Sequence, residues 1–145
     1  MSLHTAFYYH LKTDDDLVAL ISTRIYVDVA PASVAGLDHV TYQVVSAGHE
    51  HHLTAAAGMV QKRVQVDVWA TTSITRDSIS EAIREALDGY RGDMGEEGST
   101  VSVRCCHLSN ELDSYDSPQS KNEFGVFRHT MDFMVWHTES VPTFD

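Results

Sequence analysis

Four consecutive residues, His49-Glu50-His51-His52, are the closest approach to a chemical site in this sequence. Side chains alternate along a strand, so His49 and His51 would point the same way, and imidazole is a common zinc ligand. A third ligand at suitable spacing is not evident, and His52 would face away. Two interpretations remain open: a small metal-binding protein or enzyme that uses this histidine tip, and a polar hairpin tip that contacts a partner.

Cys105 and Cys106 are adjacent, so on a strand their side chains would face opposite ways. This pattern favours two reduced thiols in a chain folded in a cytosol. A nucleophile and base could be assigned to Cys106 and His107. However, neighbours on a strand diverge and no acid is placed to orient the histidine.

Asp67 and Asp132 lie in the polar registers of two predicted strands. We interpret them as surface or ion-pairing residues, with Arg63 and Arg128 as partners, rather than as an acid/base couple. The sequence contains no Gly-x-Ser-x-Gly elbow, phosphate-binding glycine loop or Cys-x-x-Cys pair. The residues alone therefore predict a protein that is not an enzyme and holds no cofactor.

The charge and hydropathy of the chain limit its partners. With 145 residues and a net charge of -11, it lacks the Lys and Arg that wrapping DNA or binding an anionic membrane requires. An acidic ring wall that lets DNA slide past remains compatible with this charge. No apolar run approaches the roughly 20 residues of a membrane helix, and we expect no signal peptide from the N-terminal residues.

Residues 62–92 organise the predicted fold. Valines alternate with polar residues up to Trp69, which is typical of a strand with one apolar face. Apolar residues then recur every three or four positions, which predicts an amphipathic helix over 74–89. Thr72 or Ser73 can cap its start with a hydroxyl group.

The remaining elements follow from similar patterns. In the N-terminal half we predict short helices over 3–12 and 14–21 with a hydroxyl cap at Thr13, an extended piece at 25–29, a strand from Val40 and a long hairpin at 46–58. In the C-terminal half we predict an acidic mobile loop at 92–99, a strand from Val101, a polar loop at 109–122 and a strand over 127–136.

The predicted class is α+β, in one domain that spans 1–145 with a peripheral tail at 139–145. It comprises an antiparallel β-sheet of about four strands with a long hairpin, packed against one main helix and short N-terminal helices. Trp69 and Trp136 lie opposite the apolar register. We therefore expect the second sheet face to be covered by a helix or by another subunit.

An ordered set of short segments carries a resemblance across nearly the whole chain. The segments are Arg24-Ile25-Tyr26, Ala30-Pro31, His52-Leu53 with Gly58, 63–70, 82–89 and 132–137. Together they resemble the tail terminator, tail completion or head-tail joining proteins of long-tailed bacteriophages. The sequence departs from the family in its acidic segments 92–99 and 109–122.

The resemblance implies a structural virion protein, made in the host bacterial cytoplasm and placed at the head-proximal end of the tail. Such proteins form a ring, commonly a hexamer, that ends tube polymerisation and joins the tail to the head. The implied partners are further copies of the chain, the major tail tube protein and a neck (stopper) protein. DNA would pass through the lumen without specific binding, and no membrane is involved.

Two sets of residues are candidates for these contacts. The candidate subunit or tube interface comprises His49, His51, His52, Leu53, Trp69, Leu112, Tyr115 and Trp136. The candidate lumen acids are Asp93, Glu96 and Glu97.

Overall fold

A computed structural model describes residues 2–34, 36–53, 56–118 and 125–144. Three helices pack on one face of a six-stranded sheet with the strand order β1-β2-β3-β6-β5-β4. The helices are α1 (Leu3–Lys12), α2 (Asp15–Ile21) and α3 (Ser73–Leu87). The strands are β1 (Ile25–Val27), β2 (His39–His51), β3 (Ala56–Ala70), β4 (Gly92–Glu96), β5 (Ser99–Asp116) and β6 (Val126–Thr138).

The α+β class is confirmed, but the expected count of about four strands is wrong. The expected acidic loop at 92–99 is instead strand β4 followed by a tight turn into β5. Met94 is fully buried there and anchors the strand to the core. A single apolar residue between glycines and acids gives no alternating pattern, so the sequence did not reveal it.

The expected loop at 109–122 is also wrong over most of its length. Residues 109–116 continue β5 and pair with β6 in an antiparallel ladder. Apolar residues do not alternate along this stretch, because both of its faces are largely exposed. Residues 119–122 of the expected loop lie outside the described residues.

One edge of the sheet departs from antiparallel pairing. The short strand β1 runs parallel to β2, with Ile25 opposite Val40. The long hairpin is confirmed: β2 and β3 pair from His39 opposite Trp69 to His51 opposite Ala56. Residues 54 and 55 of the predicted hairpin lie outside the described residues.

The N-terminal helices are placed as predicted, with one different cap. The carboxylate of Asp14, rather than the hydroxyl of Thr13, accepts a 3.0 Å hydrogen bond from the amide of Leu17 and caps α2. Thr13 instead donates its hydroxyl to the carbonyl of Tyr9 at the end of α1. An ionised side chain is the stronger acceptor at the positive end of a helix.

The core lies between the helices and the apolar register of the sheet. Tyr42, Val66 and Met131 form a continuous row across three strands and are all buried. Tyr42 donates a 2.6 Å hydrogen bond to the carbonyl of His4, which ties α1 to β2. Burial raises the pKa of Tyr42, so this phenol stays protonated and acts as a donor. Thr72 caps α3, as predicted.

The opposite face of the sheet is polar, and no described helix packs on it. We call it the open face. It carries the register of Asp67 and Trp69 on β3 and of Asp132 and Trp136 on β6. The expectation that a helix covers this face is therefore not met within the described residues. No described helix is long and apolar enough to span a membrane.

Candidate functional site

Two exposed hairpin ends project from the sheet in opposite directions. The β2–β3 arm comprises residues 45–53 and 56–59, and its turn lies beyond Met59, which pairs with Thr138 at the end of β6. The β5–β6 arm comprises residues 109–116 and 126–130, and its last described pair, Asp116 opposite Val126, lies beyond Phe127, which pairs with Ala70 at the end of β3. One protomer therefore presents an arm at each end of its strands.

The β2–β3 arm contacts the C-terminal segment, residues 139–144. His49 Nδ1 lies 2.7 Å from Glu139 Oε1, with both side chains partly exposed. The amide of Glu139 donates to the carbonyl of Gly58. Gly58 has a φ of +78°, and a Cβ there would lie 2.9 Å from a methyl group of Val141. Glycine is therefore required at this position both by its conformation and by the close approach.

The other predicted residues of this arm are free to meet a partner. His51 and His52 are exposed, and Leu53 at the turn is fully exposed. The side-chain partner of His49 is a carboxylate rather than a second imidazole. Among the residues that the structure describes, no three His, Cys, Asp or Glu side chains are grouped to hold a metal ion.

Cys106 is not accessible as a nucleophile. Cys106 is buried in the core, and burial raises its pKa to about 12, so the thiol stays protonated. Cys105 lies exposed on the opposite face, with its Sγ 3.6 Å from Nδ1 of His107. Both cysteines are free thiols facing opposite ways, as predicted.

The β5–β6 arm is fastened to the start of α3 by a group of charges that the sequence did not reveal. His129 lies between the carboxylates of Glu111 and Asp113, at 3.1 Å from Glu111. The guanidinium of Arg76 on α3 lies 3.6 Å from Asp113 and 5.6 Å from the ring centre of Phe127. These residues are far apart in sequence, and only the strand register brings them together.

Two predicted contact residues occupy opposite faces of the same arm. Tyr115 packs its ring 4.7 Å from that of Phe127 on the face that carries α3, and it remains half exposed. Leu112 projects from the other face with 62% of its surface exposed. An exposed leucine on a projecting strand is available for contact with another protein.

The open face holds the predicted ion pairs. Arg128 lies 3.1 Å from the carboxylate of Asp67, and Thr130 donates to the same carboxylate at 2.7 Å. Arg63 lies 2.8 Å from Asp132. The predicted partners are therefore confirmed, but both aspartates are buried rather than at the surface. The arginine side chains shield the carboxylates from water.

The predicted contact residues Trp69 and Trp136 both lie on this open face, but they are not in contact with each other. Trp69 donates its indole N–H to the hydroxyl of Thr41 at 3.0 Å, and its ring stacks with His39 and lies under Arg128. Trp136 is half buried, four strand positions beyond Asp132 along β6. Trp69 therefore has intramolecular partners that hold its ring in place.

The candidate lumen acids cluster at one corner of the sheet. Asp93 and Glu96 lie on the edge strand β4, and Glu97 lies in the turn to β5; all three are exposed. This turn is at the same end of the sheet as the turn of the β2–β3 arm, because Val103 of β5 and Val60 of β3 both pair with His137.

A cleft of about 620 Å³ lies beside this corner, lined in part by Lys62, Asp93 and His137. His137 is buried, and its Nδ1 donates to the carbonyl of Thr138. Its Nε2 has no hydrogen-bond partner among the described atoms. Burial is the main cause that lowers the pKa of this histidine, and the charge of Lys62 adds to it.

The chain matches the family described as tail completion protein gp17 over residues 5–138. Among solved structures, it is similar to a chain of the virion of a native gene transfer agent particle. The two share 18% identity and a TM-score of 0.71, over 95% of this chain and 96% of that chain. A second solved structure shares 13% identity and a TM-score of 0.50, over 99% of both chains.

No curated protein sequence matches the chain. At these identities the two solved structures establish a shared fold. The family match is independent of them and includes all six strands, all but the start of α1 and both arms. The chain therefore belongs to the tail completion protein gp17 family and is a structural protein of a phage-like virion tail.

Proposed function

We propose that this protein assembles into a hexameric ring on the head-proximal end of the tail tube. There it ends the polymerisation of the tube and joins the tail to the neck of the filled head. The observation that carries the proposal is the family match over residues 5–138, in a fold that carries two exposed arms at opposite ends of its sheet.

Ring closure follows from the kind of interface that such arms make. Each protomer offers different surfaces at its two ends, and we propose that unlike surfaces of neighbouring copies meet, which makes the contact head-to-tail. A head-to-tail contact either closes into a ring or grows into a filament. A protein that terminates a tube has to close, because an open filament would continue to add copies.

The arms are the proposed contact surfaces with other subunits and with the tube. Leu53, Leu112 and Tyr115 place large apolar groups on exposed strands, where a partner would remove them from water. His49, His51 and His52 extend the same surface on the β2–β3 arm. Trp69 and Trp136 on the open face are the proposed second surface, toward the tube protein or the neck protein.

We also propose that Asp93, Glu96 and Glu97 line the lumen of the ring. Their carboxylates are exposed together at one corner of the sheet. A wall of like charge repels the DNA phosphates and limits adhesion during passage. The chain's net charge of -11 agrees with a protein that DNA passes without specific binding.

Tube growth in the presence of the purified protein tests the proposal. Tubes assembled from the major tail tube protein should stop growing when the protein is added, and rings should be visible on their ends. Leu112→Asp should abolish this effect, because a charge would be placed in the apolar contact. Val29→Asp is the matched control, since Val29 is 78% exposed and lies outside both arms.

The proposal fails if wild-type protein leaves tube growth unchanged and no rings form on tube ends. If Leu112→Asp caps tubes as well as the wild type does, Leu112 is not part of the contact surface.

A further inference from the structure

Strands β2 and β5 each have an outer edge that is only partly covered. The short strand β1 covers β2 along Val40–Tyr42 only. Strand β4 pairs with β5 up to Val103, and the residues that follow α3 bind β5 as far as Leu108. No described residue pairs with the outer edge of β2 over 43–51, or with that of β5 over 109–116.

The hydrogen bonds at the covered positions show which residues turn their backbone groups outward. The carbonyl of Tyr42 accepts from Asp28, and the carbonyl of Cys106 accepts from Gly89. Tyr42 and Cys106 both carry their side chains on the face that holds the helices. In strands of L-residues, residues on one face turn their N–H and C=O groups to the same edge.

The same alternation identifies the open donors and acceptors beyond the covered parts. On β2, Ala47 and His49 share the helix-bearing face, because they pair with Lys62 and Val60 in the register of the core valines. On β5, Glu111 and Asp113 share this face, because they pair with Met131 and His129. These four residues therefore present unpaired backbone groups at two open edges.

The two edges fit each other in direction and extent. Strands β2 and β5 run in opposite directions in the sheet, since β2-β3, β3-β6 and β6-β5 are all antiparallel, and their open edges lie on opposite sides. Each edge is covered in the N-terminal part of its strand and open in the C-terminal part. When the open part of β2 in one copy pairs in antiparallel fashion with the open part of β5 in another, the covered parts of both strands lie outside the paired region.

We propose that β2 of one copy, over 43–51, pairs in antiparallel fashion with β5 of a second copy, over 109–116. This inference rests on the proposed ring and assigns the contact that builds it. The occupant is a second copy because one chain carries both edges, in matching length and opposite direction. Repeated around the ring, the contact leaves none of these edges exposed, and long exposed edges invite unspecific pairing.

The side chains agree with this pairing. When the open faces of the two copies are continuous, His49 shares a face with Glu111 and Asp113 of the neighbour. The His49 imidazole, which contacts Glu139 within its own protomer, thus approaches the two carboxylates that hold His129 in the neighbour, which is a complementary arrangement. If two β2 edges paired with each other, histidines would lie opposite histidines. If two β5 edges paired with each other, carboxylates would lie opposite carboxylates.

Amide hydrogen exchange in the wild-type ring tests the pairing directly. The amides of Ala47, His49, Glu111 and Asp113 should exchange at least about tenfold more slowly in assembled rings than in the free protomer, because each gains a hydrogen bond. Equal exchange rates in ring and protomer would overturn the proposal. Protection of only one of the two segments would also overturn it.

A proline substitution provides the second test. Ala47→Pro removes an N–H that makes no bond within the protomer, and proline is tolerated where the N–H of an edge strand faces solvent. The variant should melt as the wild type does and form no rings. Ala47→Ser keeps the N–H at the same exposed position and should form rings normally. Normal rings from Ala47→Pro would overturn the pairing.

The outcomes separate this inference from the function on which it rests. Wild-type rings on tube ends that show no protected edges would leave the proposed function standing and exclude strand pairing. Wild-type protein that forms no ring, even on tubes, would exclude both. If Ala47→Pro does not fold, the exchange measurement on the wild-type ring decides.

Discussion

The guanidinium of Arg63 donates a 2.8 Å hydrogen bond to the carboxylate of Asp132 across the open face of the sheet. Only 6% of Asp132 is exposed, whereas nearly half of the Arg63 side chain reaches water. The arginine therefore covers a buried negative charge and connects β3 to β6. The other oxygen of Asp132 has no partner among the described atoms, so Arg63 is the one described side chain that donates to this buried carboxylate.

The first prediction compares the two partners of this pair. Arg63→Met should lower the free energy of unfolding, because it leaves a buried carboxylate without a donor. Asp132→Asn should cost less, since the arginine left behind can be solvated. Thermal or urea unfolding of both variants measures the difference. An equal loss, or a greater loss for Asp132→Asn, would contradict this description of the pair.

A second prediction concerns the core beneath α3. Val66 is fully buried between Tyr42 and Met131, so Val66→Asp would bury an unpaired charge at a cost of several kcal/mol. We expect insoluble or unfolded protein. Val29→Asp, at an exposed position, should be soluble and melt like the wild type. A soluble Val66→Asp variant with an unchanged melting temperature would show that the sheet packs differently.

The third prediction distinguishes an assembly arm from a metal site. His49→Ala combined with His51→Ala removes one half-exposed contact with Glu139. Exposed ion pairs contribute roughly 0–1 kcal/mol, so the melting temperature should change little. Metal analysis should give the same content for both proteins. Stoichiometric zinc in the wild type that is lost in the variant would instead favour the metal-binding alternative.

A fourth prediction follows from His137. Burial holds its pKa below the ordinary value of 6.5, so the unfolded chain binds this proton more readily than the folded chain does. Stability contributed by the neutral imidazole is therefore fully present above the unfolded pKa. It is lost as the pH falls through 6.5 toward the folded pKa.

His137→Gln provides the test, because glutamine does not titrate in this range. The variant should lose less stability than the wild type between about pH 7.5 and about pH 5. Urea unfolding at both pH values measures the two slopes, and the other histidines contribute equally to both proteins. Identical slopes would show that His137 does not contribute to the acid sensitivity.

Elements with a strong apolar period were predictable from the sequence, and elements without one were not. The apolar stripe of α3 predicted that helix nearly to its ends, and the alternating valines predicted the C-terminal part of β3, which begins further back at Ala56. In contrast, β4 has only Met94 to mark it, and the end of β5 has two exposed faces. Their strand conformation depends on pairing with neighbours, which local patterns do not report.

The candidate site divides in the same way. The exposure of His51, His52 and Leu53 agrees with the predicted polar hairpin tip, whereas their role as contact residues stays a prediction. The group around His129 was not, since its partners come from β5 and α3 and meet only through the strand register. Glu139 was assigned to a peripheral tail, and only the structure reveals its contact with His49.

The central claim is that the protein caps the tail tube as a ring, and deletion of its gene in the parent phage or prophage tests it most directly. Electron microscopy of the particles should show filled heads without attached tails, beside tubes of abnormal length. Expression of the wild-type gene in trans should restore joined particles. Tails of normal length joined to heads in the absence of the gene would contradict the account.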